Sequence, residues 1–161
     1  MGNIWVRCLT KIRGKMELDN NLIIRKARIE DAETLTSLTE ELGYHTTVNE
    51  IIRKIKNIST LDDQQVFVAE YDKVIGWMHI SLVEPFESTA FVEIRGIVVN
   101  EEYRGKGVGT RLIKTAADWA RTKECNKIRI RTNVNRTETR EYYRKIGFIS
   151  KKTQEVFEKD I

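Results

Sequence analysis

The 161-residue sequence has few of the residues that build disulfide frameworks, metal sites or flexible linkers. Two cysteines, Cys8 and Cys125, are too few for a disulfide framework, and the two histidines are isolated, so no metal site is predicted. Pro85 is the one proline, and no Ser/Gly-rich stretch suggests an interdomain linker. We therefore expect one domain with an ordinary hydrophobic core.

Long apolar runs are also missing from the chain. No segment approaches the roughly 20 consecutive apolar residues that a membrane-spanning helix needs. Residues 1–6 lack the Ser or Thr of a myristoylation signal and the long apolar core of a secretory signal. These absences predict a protein of the reducing cytoplasm with no membrane partner.

The basic charge is confined to the N-terminal segment. Residues 1–15 contain four basic and no acidic residues, whereas residues 16–161 contain 24 of each, which leaves a formal net charge of +4 for the chain. We read residues 1–20 as an extension and residues 21–161 as the domain. Residues 1–15 are either a translated leader before a natural start at Met16 or a genuine extension, and both interpretations stay open.

Hydrophobic periodicity predicts an α/β fold. Strands are expected near residues 22–26, 66–71, 74–83, 89–99 and 127–132, with a last strand from Phe148. Apolar stripes predict helices near residues 32–42, 48–58, 108–120 and 137–146. The order β-α-α-β-β-β-α-β-α-β indicates a mixed, mostly antiparallel central sheet with helices on both faces.

A glycine-rich loop follows the fourth predicted strand and precedes a helix. It reads Arg104-Gly105-Lys106-Gly107-Val108-Gly109-Thr110. Glycines let backbone N–H groups approach an anion, and the helix N-terminus favours negative charge. The spacing fits neither a Walker loop nor the dinucleotide fingerprint. The loop therefore predicts a phosphate cradle of another kind.

Two motifs in this sequence resemble those of the GNAT family of N-acetyltransferases. The run from Glu93 to Gly109 is similar to a strand followed by the family's cofactor motif, Arg/Gln-x-x-Gly-x-Gly/Ala. Residues 136–148 resemble its closing helix, Arg-x-x-Ala-x-x-Phe-Tyr-x-x-x-Gly-Phe, with Thr139 and Tyr142 as mild departures. The resemblance covers about residues 22–158.

The resemblance implies a metal-free enzyme that uses acetyl-CoA. The acetyl group would pass directly to a primary amine in a ternary complex. The pyrophosphate would lie on backbone N–H groups of residues 104–110, and the pantetheine arm along Ile97, Val98 and Val99. The Ile97 N–H would polarise the thioester carbonyl, which is oxyanion stabilisation of the usual kind.

Glu93 is the candidate general base, because some family members carry a catalytic glutamate at this position. Strand alternation places Glu93 on one face with Arg95, Ile97 and Val99 unless a bulge intervenes. The alternative is a structural ion pair with Arg95 or Arg131. Two histidines, His45 and His79, are rival bases because histidine titrates near neutrality.

Tyr143 is the candidate general acid, because it matches the family's motif and a phenol can protonate a leaving thiolate. The alternative is a core tyrosine with its hydroxyl at the rim. Tyr142 is expected to point elsewhere. Three aromatic residues, Tyr44, Trp77 and Phe86, are weak candidates for the acceptor side.

Two acidic residues, Glu84 and Glu87, lie on either side of the aromatic candidate Phe86. With Glu84 and Glu87, the aromatic residues would suit a cationic amine. The acceptor is a small molecule or a protein amine, and a homodimer is compatible with the sequence. One alternative function is a non-catalytic acyl-CoA-binding module, which the presence of both Glu93 and Tyr143 disfavours. Another is nucleic-acid binding through Arg129, Arg131 and Arg136, which the neutral body disfavours.

Overall fold

Five strands form one sheet in the part of the chain that the structure, a computed structural model, describes: Leu18 and residues 21–161. The proposed leader, residues 1–15, lies outside the described residues. The strands are β1 Ile23–Lys26, β2 Gln64–Tyr71, β3 Lys73–Val83, β4 Phe91–Val99 and β5 Ile128–Ile130, in that spatial order. Neighbours pair antiparallel except β4 and β5, which are parallel. The predicted fold class is confirmed.

The helices form where the apolar residues repeat. They are α1 Ala32–Glu41, α2 Val48–Ser59, α3 Val108–Thr122 and α4 Thr137–Lys145. All five apolar residues predicted to stripe α3 are buried: Val108, Leu112, Ile113, Ala116 and Ala120. Among the described residues, none of the helices combines the length and the apolar character needed to cross a bilayer.

The helices cover both faces of the sheet. On one face, Leu35 and Leu38 of α1 and Ile55 of α2 pack against the sheet, and we call this the α1/α2 face. On the other, α3 packs on Met78 and Ile80, and α4 adds its tyrosines to the same cluster. We call this second side the α3/α4 face.

A β-bulge at Arg95 changes which face the residues of β4 occupy. His79 of β3 pairs with Gly96, but the next residue, Ile80, pairs with Ile94, so Arg95 is an extra residue on β4. Side chains alternate along a strand, and one extra residue reverses that alternation. The exception stated for this strand therefore applies, and Glu93 does not share a face with Ile97 and Val99.

The bulge divides the side chains of β4 between the two faces. Val98 is buried against Leu38 and Leu42 on the α1/α2 face. Glu93 lies on that same face, because its partner Ser81 is four residues beyond Trp77, the partner of Val98. Ile97 and Val99 pack in the cluster of the α3/α4 face.

The strand predicted to begin at Phe148 is also wrong. Residues 148–161 have neither helix nor strand. Five consecutive polar residues, from Lys151 to Glu155, interrupt the alternation that a half-buried strand needs. Several large apolar side chains of this segment are exposed, among them Ile149, Val156 and Phe157.

Candidate active site

The parallel strands β4 and β5 stop pairing halfway along β4. β5 pairs with β4 at Val92, Glu93 and Ile94. β4 then continues to Val99, whereas β5 ends at Ile130. Among the described residues, no strand pairs with the β5-facing edge of β4 beyond Ile94. The result is an open strand edge that leads towards the glycine-rich loop.

Backbone hydrogen bonding shows which groups face this open edge. The Asn100 N–H donates to the Ile75 carbonyl across the β3 side, at 2.8 Å. Because successive N–H groups alternate between the two sides of a strand, the Val98 N–H also points to β3. The N–H groups of Ile97 and Val99 then point to the open edge.

The Arg104 side chain closes the far end of the edge. Its Nε donates to the Val99 carbonyl at 2.8 Å. Its Nη2 lies 4.0 Å from Glu41 Oε2 at the end of α1. Sequence reasoning considered only the backbone of Arg104 and missed this side-chain contact, since no local pattern signals it.

The glycine-rich loop turns sharply into α3. Gly105 and Gly107 have φ angles of +74° and +84°, a left-handed backbone that favours glycine. The first helical hydrogen bond of α3 runs from the Arg111 N–H to the Gly107 carbonyl. The N–H groups of residues 108–110 therefore precede the helix's own bonding pattern.

The N-terminus of α3 has the character of an anion site. No side chain caps it, and its first turn contains no acidic residue. Lys106 lies over the ring of Tyr103, with Nζ 5.2 Å from the ring centroid. Free N–H groups and the helix dipole together favour negative charge at this position.

The two tyrosines of α4 reach this region from the α3/α4 face. The Tyr142 hydroxyl lies 3.1 Å from Thr110 Oγ1, so it bonds to the first turn of α3. Burial raises the pKa of the Tyr142 phenol, and the hydrogen bond with Thr110 partly offsets that rise. The Tyr143 ring packs between Tyr142 and Phe148, at centroid distances of 5.5 and 5.6 Å.

Glu93 is buried and lies beside two arginines. Its Oε1 is 2.8 Å from Arg131 Nε, at an angle outside hydrogen-bond limits, and its Oε2 is 3.8 Å from Arg95 Nη1. Both arginines named as structural partners in the sequence therefore contact it. Arg95 Nη1 also donates to Ser81 Oγ at 3.3 Å.

The two rival histidines have different surroundings. His79 lies beside the bulge, partly buried, with Nε2 3.1 Å from Gln64 Oε1. Burial, with a further contribution from the charge of Arg95, lowers the pKa of His79 to about 4. His45 is exposed in the connection between α1 and α2.

The three aromatic candidates for the acceptor side do not form one wall. Tyr44 follows α1, whose last turn reaches Asn100 through Glu41. Phe86 is fully exposed and lies in the chain beyond Val83, the last residue of β3. Trp77 packs against α1 and α2, and its indole N–H has no hydrogen-bond partner among the described residues. A role for each residue at the acceptor stays a prediction.

The chain belongs to the acetyltransferase (GNAT) family, whose family model matches residues 29–148. An uncharacterised N-acetyltransferase of Chlorobaculum tepidum is 35% identical over 94 residues, which cover 58% of this chain and 56% of that protein. The chain thus spans about half the length of the curated relatives it matches. The residues that the family model matches include the open edge of β4 and the glycine-rich loop.

Solved structures of other family members share the fold. An aminoglycoside N-acetyltransferase, AAC(6')-Iy in complex with CoA, superposes with a TM-score of 0.77 at 22% identity and covers 94% of this chain and 100% of its own. Glucosamine-6-phosphate N-acetyltransferase from Arabidopsis thaliana gives a TM-score of 0.75 at 24% identity, covering 86% and 99%. At these identities the likeness concerns the fold.

Proposed function

We propose that this protein transfers an acetyl group from acetyl-CoA directly to a primary amine in a ternary complex. The observation that carries the proposal is the open edge of β4, which presents the Ile97 and Val99 N–H groups and runs into the glycine-rich loop. Family membership supports acetyl transfer in general, and the CoA complex of a structural neighbour supports the co-substrate.

The residues present fit acetyl-CoA in two respects. The N–H groups of residues 108–110, with Lys106 nearby, would hold the pyrophosphate at the start of α3. The open edge would accept the amides of the pantetheine arm as an added strand, because its outward N–H groups need partners. The Val99 carbonyl already accepts a hydrogen bond from Arg104. Ile97 is therefore the backbone position best placed for the thioester end of acetyl-CoA.

The acid and the base would act from opposite faces of the sheet. Ile97 N–H would stabilise negative charge that develops on the thioester oxygen. Tyr143, on the α3/α4 face, would donate a proton to the departing thiolate. Glu93, on the α1/α2 face, would take the proton of the acceptor ammonium. An acid and a base on opposite faces would suit a direct transfer, because the amine would approach the thioester from one face while the thiolate leaves towards the other.

The carboxylate of Glu93 needs room to serve as a base. Arg131 Nε occupies the neighbourhood of Oε1 at 2.8 Å. Most of the Arg131 side chain is exposed, at 66%, so it can turn towards solvent or towards a bound acceptor. Glu93 itself is anchored in the middle of the paired part of β4.

The test has a binding arm and a catalytic arm. Acetyl-CoA is titrated calorimetrically into the wild-type protein and into Gly109→Val, whose Cβ would stand 3.2 Å from the Tyr142 hydroxyl. We expect clear binding by the wild type and weaker binding by the variant. Ala117→Val, on the same helix, is the control for a general effect of a larger side chain. Release of free CoA thiol is then followed over a panel of amines.

The two arms separate the alternatives. Binding without thiol release from any amine would leave a non-catalytic acyl-CoA-binding module. Equal affinity of the wild type and Gly109→Val would contradict the assignment of the glycine-rich loop.

A further inference from the structure

Three arginines gather where β4 and β5 separate. Glu93 of β4 is paired in register with Arg129 of β5, so both side chains lie on the α1/α2 face. Arg131 follows two residues later and lies on the same face, where it reaches Glu93. Arg95 lies at the bulge of β4, two residues after Glu93. We call Arg95, Arg129 and Arg131 the arginine cluster.

Contacts hold the cluster in place. Arg131 and Arg95 lie 2.8 and 3.8 Å from the two oxygens of Glu93. The Arg129 guanidinium lies over the ring of Phe91, 3.6 Å from its centroid, within the range of a cation–π contact. Ser81 adds an oxygen that accepts a hydrogen bond from Arg95. These contacts orient the guanidinium groups, while the exposed side chains of Arg95 and Arg131 keep room to turn towards a ligand.

The charges of the cluster are not balanced by the strands that carry it. Glu93 is the one acidic residue within β3, β4 and β5 as bounded above, so these strands contribute one carboxylate against the three arginines of the cluster. The Glu93 side chain is 10% exposed, whereas those of Arg95 and Arg131 are 52% and 66% exposed. The carboxylate lies underneath, and the guanidinium groups are turned towards solvent.

We propose that the arginine cluster binds an anionic group of the acceptor, so that the acceptor is a small amine that also carries a carboxylate or a phosphate. The inference rests on the proposed function and names its substrate class. A guanidinium offers a planar fork of donors that matches both anions, which gives each contact geometry as well as charge.

The distances suit a small molecule. The β3 partners of Glu93 and Ile97, which are Ser81 and Met78, are three residues apart, so Glu93 lies roughly 10 Å from Ile97 along the sheet, with Arg95 between them. An amine placed at the open edge near Ile97 can therefore have its anionic group at the cluster. An acceptor that is only cationic would instead meet like charge here, contrary to the expectation from Tyr44 and Phe86.

Acceptor binding at the cluster would also release the Glu93 carboxylate from its contacts with Arg131 and Arg95. A bound anion competes with the Glu93 carboxylate for Arg131 and Arg95. When those arginines turn to the acceptor, the carboxylate keeps its place in β4 and faces the ammonium of the same molecule. Binding of the correct acceptor thereby prepares the base.

The experiment compares matched amines with and without an anionic group. One pair is 4-aminobutanoate and 4-aminobutanamide, and the other is glucosamine 6-phosphate and glucosamine. Dissociation constants are measured by NMR titration of CoA-saturated protein, so that the phosphates of CoA already occupy their own site. The first pair tests a carboxylate and the second tests a phosphate.

Two variants give effects of opposite sign. Arg131→Gln should weaken binding of the anionic members roughly tenfold, the usual worth of a hydrogen bond to a charged group. It should leave binding of the members without an anionic group unchanged. Glu93→Gln should strengthen binding of the anionic members, because it removes the competing carboxylate. Arg121→Gln, an exposed arginine paired with Asp118 on α3, is the control and should change neither.

The outcomes decide between the possibilities. Tighter binding of at least one anionic member, lost in Arg131→Gln, supports the proposal and identifies the anion. Equal affinities within both pairs, including no binding of any member, overturn it, as does an equal loss for both members in Arg131→Gln. CoA binding is measured first and separately, so its absence counts against the proposed function, and the titrations then run without CoA.

Discussion

The two halves of β4 offer different kinds of chemistry. The half from Phe91 to Ile94 is paired on both sides, and what it presents is side chains: a buried carboxylate among arginines. The half from Gly96 to Val99 is open on one side, and what it presents is backbone N–H groups. Backbone groups are the same in every sequence, whereas side chains are not. Under the proposed function, cofactor binding therefore depends on the open half, and acceptor choice depends on the paired half.

The largest expected effect comes from removal of the Tyr143 hydroxyl, which serves both halves in the proposed reaction. Tyr143→Phe should lower turnover roughly a hundredfold or more, the usual worth of a positioned proton donor, while the ring still packs. Steady-state kinetics with a saturating amine measures it, and acetyl-CoA affinity should change little. Tyr142→Phe, which removes the neighbouring hydroxyl, should lower turnover far less. Wild-type turnover in Tyr143→Phe, with chemistry limiting the rate, would overturn the general-acid role.

The paired half is tested through Glu93. Glu93→Gln should lower turnover by up to about a hundredfold at neutral pH, because an amine with a pKa of about 10.4 then keeps its proton. Above that pH the amine loses its proton unaided, so the variant should approach the wild type. The measurement is the pH profile of turnover with one amine for both proteins. A loss that is equal at every pH would assign Glu93 a positioning role instead.

The open half is tested through Gly76 of β3, which pairs with Val99 on the other edge of β4. A Cβ at Gly76 would stand 2.6 Å from the Val98 carbonyl oxygen, so β4 must shift. Gly76→Ala should destabilise the protein by about 1–3 kcal/mol, the range for overpacking, and also weaken acetyl-CoA binding. Denaturant unfolding and calorimetry measure the two effects.

Gly96→Ala provides the comparison for Gly76→Ala. Its Cβ would meet the Trp77 ring at 3.0 Å, and a side chain yields more easily than backbone. A smaller loss of stability and a smaller loss of affinity are expected. If both variants bind acetyl-CoA like the wild type, the open half of β4 is not the cofactor edge.

The smallest expected effect concerns His79 at the boundary between the halves. Its folded pKa of about 4 lies below the unfolded value of about 6.5, so the unfolded state binds the proton first as the pH falls. Stability from this residue is complete above pH 6.5 and is lost towards pH 4. With partial exposure considered, the loss should be about 1–2 kcal/mol. Urea unfolding at several pH values should show a flatter profile for His79→Gln; an unchanged slope would contradict it.

The sequence predicted the elements of the fold well because burial sets their periodicity. The α3 stripe and the positive φ of Gly147 after α4 match the pattern read from the residues. The glycine-rich loop was also found, because Gly105 and Gly107 adopt a backbone that few other residues tolerate. Side-chain contacts within the site were less accessible, since the pairing of Arg104 with Val99 depends on the folded turn between them.

The bulge at Arg95 was the consequential feature that periodicity did not reveal. An isolated glycine inside a strand pattern signals a bulge or a close backbone approach, and Gly96 is such a residue. The pairing partners decide between those two readings, and they come from β3, far along the chain. The same limit explains why alternation alone could not decide the face of Glu93 relative to Ile97 and Val99.

The single extra residue at Arg95 also makes the site depend on the pairing register of β4 as well as on its composition. If β4 paired regularly with β3 through Arg95, without the bulge, either Glu93 or the pair Ile97 and Val99 would turn to the opposite side of the sheet. Every functional residue would still be present in the chain, yet the carboxylate and the outward N–H groups would no longer serve one reaction centre. The pairing register of β4 is thus a functional property of the protein in its own right.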